Sequence, residues 1–131
     1  MSMASEQQRT IAAPVTIRGT GLHSGEPVSI TLRPSEAGQG IVWRRIDLPG
    51  APSIAARAEN VVSTDRCTML GVGEATVQTV EHVMAALRAM EIDNCIVDCD
   101  GPEAPLADGS ALPFAEAIRQ AGISTLEAAR E

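Results

Sequence analysis

Apolar residues recur at every second position in two stretches of this chain. Ile11, Ala13, Val15 and Ile17 form the first; Val28, Ile30 and Leu32 form the second. A period of two sends alternate side chains to one face of an extended backbone, so Thr10–Arg18 and the segment around Val28–Leu32 read as half-buried strands. The glycine-punctuated run Gly19–Gly25 lies between them and predicts a hairpin. The pattern continues with a short strand at Gly40–Arg45. In Ile54–Asn60, Ile54, Ala56 and Ala58 alternate with outward Arg57 and Glu59. A second hairpin is expected from Thr68–Val72 and Glu74–Gln78 around Gly71 and Gly73, and a strand at Asn94–Asp100 with Cys95, Val97 and Cys99 on one face.

Two segments carry the other period. Val80, Val83, Met84, Leu87 and Met90 make an apolar stripe at helical spacing, predicting a helix from Val80 to about Glu91 with Thr79 as its N-cap. A second helix starts near Pro113, a residue suited to a first helical turn, and buries Phe114, Ala117, Ile118 and Ala121. Gly122 is expected as the left-handed residue that closes it. Strands joined by hairpins, two helices and no βαβ repeat predict an α+β fold: a two-layer sandwich of one mainly antiparallel sheet covered by two helices. Residues 1–8, small and polar, read as a disordered lead-in. Residues 9–126 read as one domain, and 127–131 as a tail or the start of an interdomain linker.

Charge and composition exclude several functions. The net charge is −7 with no basic cluster, which disfavours binding to a phosphate backbone. No run is apolar for long enough to span a membrane, so no transmembrane segment is expected. Three cysteines without an apolar leader predict a reducing, cytoplasmic setting, with Cys95 and Cys99 as buried thiols.

The residues with most chemistry are Glu81 and His82, in the expected first turn of the first helix. Successive helical side chains point about 100° apart, yet two in a first turn can still converge on an atom off the helix end. An imidazole that binds a metal ion, beside a carboxylate that takes a proton from water, is one such arrangement. Locally the plain reading is the stronger one: an acid is favourable at the positive end of any helix, and a metal site needs three or four ligands.

Four segments together change that balance. They are Gly21-Leu22-His23-Ser24-Gly25; Arg66-Cys67-Thr68-Met69-Leu70; Thr79-Val80-Glu81-His82 running on to Ile92-Asp93-Asn94; and Glu103 to Phe114, with Pro105, Asp108-Gly109-Ser110 and Pro113. In this order and spacing they resemble the first half of the UDP-3-O-acyl-N-acetylglucosamine deacetylase (LpxC) family, the zinc enzymes of lipid A synthesis. The resemblance runs from about Arg9 to Leu126. It implies that His82 is a zinc ligand and Glu81 the general base, and that Thr64, Arg66, Cys67 and Thr68 lie beside the substrate, a nucleotide-sugar lipid precursor. It also implies a Gram-negative source. His23 falls in the Gly-Leu-His-Ser-Gly turn, where a structural role weighs at least as much as a functional one. Asp108 and Ser110 are expected to brace the following helix.

The family's remaining zinc ligands come from a His-x-x-x-Asp motif in a second domain, and this sequence has none; His23 and His82 are its only histidines. The resemblance therefore implies a second deacetylase domain as partner, and a chain that is inactive without it. The face that meets that domain would be open to self-association. The alternative is a stand-alone binding or regulatory module in which Glu81 and His82 do no chemistry.

Overall fold

Strands β2 (Val15–Thr20) and β3 (Pro27–Arg33) form the expected hairpin, in continuous antiparallel register from Val15↔Leu32 to Thr20↔Pro27. They belong to a computed structural model that describes residues 7–64 and 67–130. Before them lies β1 (Gln7–Ile11). After them come β4 (Ile41–Arg45), β5 (Ser53–Ala55), a 3-10 turn at Ala58–Asn60, β6 (Val61–Ser63), β7 (Met69–Val72) and β8 (Ala75–Gln78). Helix α1 (Glu81–Ala89), β9 (Cys95–Cys99), α2 (Leu112–Ala121) and β10 (Ile123–Ala129) complete the order. The fold is α+β. In place of the single expected sheet, the strands form a five-stranded sheet ordered β2-β3-β9-β4-β5, a three-stranded sheet β6-β7-β8 and a two-stranded ladder β1-β10.

β9 enters the large sheet between β3 and β4. It runs antiparallel to β3 and parallel to β4. Val28, Ile30 and Leu32 of β3, Trp43 of β4 and Cys95, Val97 and Cys99 of β9 all point to one buried face. Against them pack Val83, Ala86 and Leu87 of α1 and Phe114 and Ile118 of α2. Each fully buried large aliphatic or aromatic side chain contributes about 1.5–3 kcal/mol, so this aliphatic layer can hold the two helices on the sheet with Trp43 and Phe114 as its only aromatics. Of the expected helix stripes, Val80, Val83, Leu87, Phe114, Ala117 and Ile118 are buried, and Met84, Met90 and Ala121 are half-buried. No helix is long and apolar enough to cross a membrane among the described residues.

Several expectations are corrected. The strand expected over Thr10–Arg18 is two strands, β1 and β2, in different sheets. Pro14, which has no N–H to give a ladder, lies in the break between them. Gln7 and Gln8, expected in the lead-in, open β1; the rest of that stretch lies outside the described residues. The tail expected at 127–131 overlaps β10, which runs to Ala129 and pairs with β1. The alternation over Ile54–Asn60 gives only β5 before the 3-10 turn. Gly122 has the expected positive φ of 86°, but its ψ of 164° is extended, so α2 feeds directly into β10. Helix α1 ends where Glu91 turns to φ 56° and the Ile92 N–H closes back on the Leu87 carbonyl at 2.9 Å.

Candidate functional site at the start of helix α1

The hairpin β7–β8 turns at Gly73 (φ 61°) and delivers the chain through Gln78 to the first turn of α1. The approach is not the one expected. Thr79 is not the N-cap: Val80 occupies that position, and no side chain caps the helix. Thr79 instead has φ 61°, a left-handed conformation rare for a β-branched residue, and its hydroxyl donates to Glu103 Oε2 at 3.1 Å. The Thr79 and Val80 amides both donate to the Thr68 carbonyl, at 2.9 and 3.3 Å. A sharp backbone turn, held by a neighbouring segment, thus replaces a cap.

That turn places Glu81 and His82, both half-buried, in the first turn of α1. The Thr68 amide donates to Glu81 Oε2 at 3.3 Å. Glu81 Oε1 is buried and has no hydrogen-bond partner among the described residues. Leaving a buried oxygen unsatisfied costs about 1–3 kcal/mol, so this atom is an acceptor held ready for an external donor. Asp108 lies within electrostatic reach of His82. The Ser110 hydroxyl and amide, at 2.6 and 2.9 Å, hold the Asp108 carboxyl below the usual carboxylate range. The Ser110 hydroxyl in turn accepts the Leu112 amide at 3.2 Å, bracing the start of α2 as expected.

Of the other sequence candidates, Thr68 is brought to Glu81, and half-buried Cys67 directly precedes it. Thr64 is exposed just beyond β6, and Arg66 lies outside the described residues. His23 is exposed, and its recorded hydrogen bonds run from its backbone amide to Glu103. Cys95 and Cys99 are buried free thiols that burial pushes up to about 12 and about 11. Among the described residues, no three His, Cys, Asp or Glu side chains come together as a metal site. The donors at α1 therefore suit part of a metal sphere: one imidazole, with an unpartnered carboxylate oxygen beside it.

Sequence reasoning passed over Glu103, which is 3% exposed and joins the Gly21–Gly25 turn to Thr79. Its signal was in plain view, an acid in a loop flanked by Pro102 and Pro105, but nothing local distinguishes it from a solvated loop residue. Gly21 fits this contact. A Cβ there would fall within 2.5 Å of Ser24 Oγ and closer still to Glu103 Oε1.

Residues 8–131 match the family model described as LpxC, UDP-3-O-acyl N-acetylglycosamine deacetylase, and the chain belongs to that family. Proteins named UDP-3-O-acyl-N-acetylglucosamine deacetylase are similar along nearly all of it. The one from Citrifermentans bemidjiense is 52% identical over 95% of this chain and 41% of its own length. The one from Anaeromyxobacter dehalogenans is 52% identical over 98% of this chain and 41% of its own. The one from Myxococcus xanthus is 50% identical over 100% of this chain and 42% of its own. The chain thus spans about two fifths of the length of the curated relatives it matches.

Proposed function

We propose that this chain is the first domain of a zinc-dependent deacetylase that hydrolyses the N-acetyl group of UDP-3-O-acyl-N-acetylglucosamine, a cytoplasmic step of lipid A synthesis in a Gram-negative bacterium. Family membership supports the reaction class. The observation that carries the assignment of roles is the Glu81 carboxylate, with one oxygen tied to the Thr68 amide and the other buried and unpartnered.

In this reading Glu81 is the general base. The Thr68 N–H occupies Oε2 and orients the carboxylate, which leaves Oε1 to take a proton from the attacking water. As the C–N bond of the amide breaks, the same oxygen can return that proton to the leaving amine. His82 supplies one imidazole ligand to zinc, and the remaining ligands come from a second domain. Zinc, when bound, supplies Lewis acidity that brings the pKa of water toward about 7. Thr68, directly preceded by Cys67, meets the base through its amide, and the family resemblance is what assigns Thr64, Arg66, Cys67 and Thr68 to the substrate side. His23, exposed and held through its backbone, is given no chemical role.

The test is a chimera in which this chain replaces the matching segment of the Myxococcus xanthus protein. It is expected to deacetylate the nucleotide sugar. Glu81→Gln should lower kcat by roughly 10²–10⁴-fold with zinc content unchanged. His82→Ala should lose the zinc. A folded, zinc-loaded chimera whose kcat survives Glu81→Gln would refute the assignment. The chain alone, with one imidazole at the site, is expected to hold zinc weakly by calorimetry.

A further inference from the structure

We propose that Glu103 is a positioning residue, which holds Thr79 in its left-handed conformation and thereby sets the direction in which α1 presents Glu81 and His82. The inference rests on the reading of those two residues as the catalytic pair.

The contacts around Glu103 are complete. Oε1 accepts the His23 and Ser24 amides, each at 3.1 Å. Oε2 accepts the His23 amide at 2.9 Å and the Thr79 hydroxyl at 3.1 Å. Burial pushes this carboxyl up, but the two amides and the hydroxyl outweigh it and keep it below its usual range. An anion therefore sits inside the fold, satisfied on every side. Its backbone is fixed as well: the Gln78 amide donates to the Pro102 carbonyl at 2.8 Å, and the Ala104 amide to the Gln78 carbonyl at 3.0 Å. Glu103 thus lies in register beside the residue that precedes Thr79.

The consequence for α1 follows from the missing cap. No side chain caps α1, so the orientation of its first turn depends on the backbone that leads into it as well as on the packing of Val83, Ala86 and Leu87 against the sheet. Here that backbone is a β-branched residue at φ 61°, which persists only where its surroundings hold it. Glu103 is the side chain bonded to the Thr79 hydroxyl. With Thr79 so turned, the Thr79 and Val80 amides reach the Thr68 carbonyl, and the Thr68 amide reaches Glu81 Oε2. The chain of contacts runs from Glu103 through Thr79 and Thr68 to the Glu81 carboxylate.

A plain staple of the Gly21–Gly25 turn would use the same His23 and Ser24 bonds without touching α1, and amide hydrogen exchange on the 131-residue chain separates the two. Under the proposal, Glu103→Gln and Thr79→Val speed exchange at Thr68, Thr79 and Val80 by about tenfold, while Thr79→Ser, which keeps the hydroxyl, exchanges as wild type. If Glu103→Gln unfolds the chain, Thr79→Val removes the same bond from the other side. Faster exchange confined to His23 and Ser24 in Glu103→Gln, or unchanged exchange at Thr68 in Thr79→Val, overturns the proposal. In the chimera, the positioning role lowers kcat about tenfold in Thr79→Val at unchanged KM. An unchanged kcat would overturn the link to catalysis. Glu81→Gln in the same chimera decides the deacetylase reading by itself, so the two failures are distinguishable.

Discussion

Replacing Thr79 by alanine and by glycine isolates the strain stored ahead of α1. Both substitutions remove the hydroxyl that donates to the buried Glu103 carboxylate, a bond to a charged group worth about 1.5–3 kcal/mol. Because Glu103 keeps its two amide donors, the lower end of that range applies. Both also remove the γ-methyl at a position 4% exposed, worth roughly 0.8 kcal/mol, and glycine loses the β-carbon there as well, at roughly the same cost again. Alanine retains a Cβ at φ 61° and keeps a left-handed penalty of about 1–2 kcal/mol. Glycine sheds that penalty but carries an unfolded-state entropy cost of roughly 0.5–1 kcal/mol. The expected losses are then about 2.3 kcal/mol for each variant, because the relieved left-handed penalty offsets glycine's extra burial and entropy costs. At an unstrained buried position glycine would be the less stable of the two by roughly 1.3–1.8 kcal/mol, whereas here the two should fall within a few tenths of a kcal/mol of each other. Urea denaturation followed by far-ultraviolet circular dichroism measures both. An alanine variant more stable than the glycine variant by about 1 kcal/mol or more would show that Thr79 is not strained and would remove the reason for Glu103 to hold it.

Two further predictions concern buried groups away from the site. Asp98, 3% exposed, accepts Arg33 Nε at 2.7 Å and Arg44 Nη2 at 2.8 Å; burial pushes its carboxyl up, but the two guanidinium groups outweigh it and hold it below the usual range. Its folded pKa is depressed, so the stabilisation is present above the unfolded value of about 3.9 and is lost as pH falls through the folded one. Asp98→Asn is expected to destabilise by about 2 kcal/mol at pH 7, below the fully buried case because the arginine side chains are 44% and 37% exposed, and by less under acid conditions. Urea titrations on both sides of the carboxylate range check this, and an equal loss in both would refute it. In the native chain, iodoacetamide at mildly alkaline pH should label half-buried Cys67 first and leave Cys95 and Cys99 untouched until denaturant is added, as read by mass spectrometry.

The parts of the fold legible in the sequence are those whose pairing partners are near in the chain. The β2–β3 and β7–β8 hairpins and the buried stripes of both helices follow from periodicity and turn residues alone. What escaped is non-local. β10 carries Leu126-Glu127-Ala128-Ala129, a run with no strand preference, and becomes a strand because β1 lies alongside with Ile11 opposite Ile123. The split between β1 and β2 had a local mark in Pro14, masked by apolar alternation that continues through Ala13, but the pairing of Ile11 with β10 and of Ile17 with Ile30 is again non-local. The placement of β9 between β3 and β4 likewise depends on partners distant in sequence.

For the site, the sequence brought Glu81 and His82 forward but not the contacts that position them. A Glu-His pair at a helix start can be read from side-chain chemistry, whereas a left-handed threonine cannot, because propensity points to Thr79 as a cap and the observed φ exists only in the company of Glu103 and Thr68. The order of the family-like segments gains a physical reason here. Gly21 must lack a Cβ so that Glu103 can approach the turn; Glu103 must reach both the His23 and Ser24 amides and the Thr79 hydroxyl; and Thr79 must turn so that Thr68 meets Glu81. Segments separated by as many as 80 residues are bound to one another through a single buried carboxylate. A change in any of them is then transmitted to the direction of α1, and their co-occurrence in one sequence carries more weight than the Glu-His pair alone.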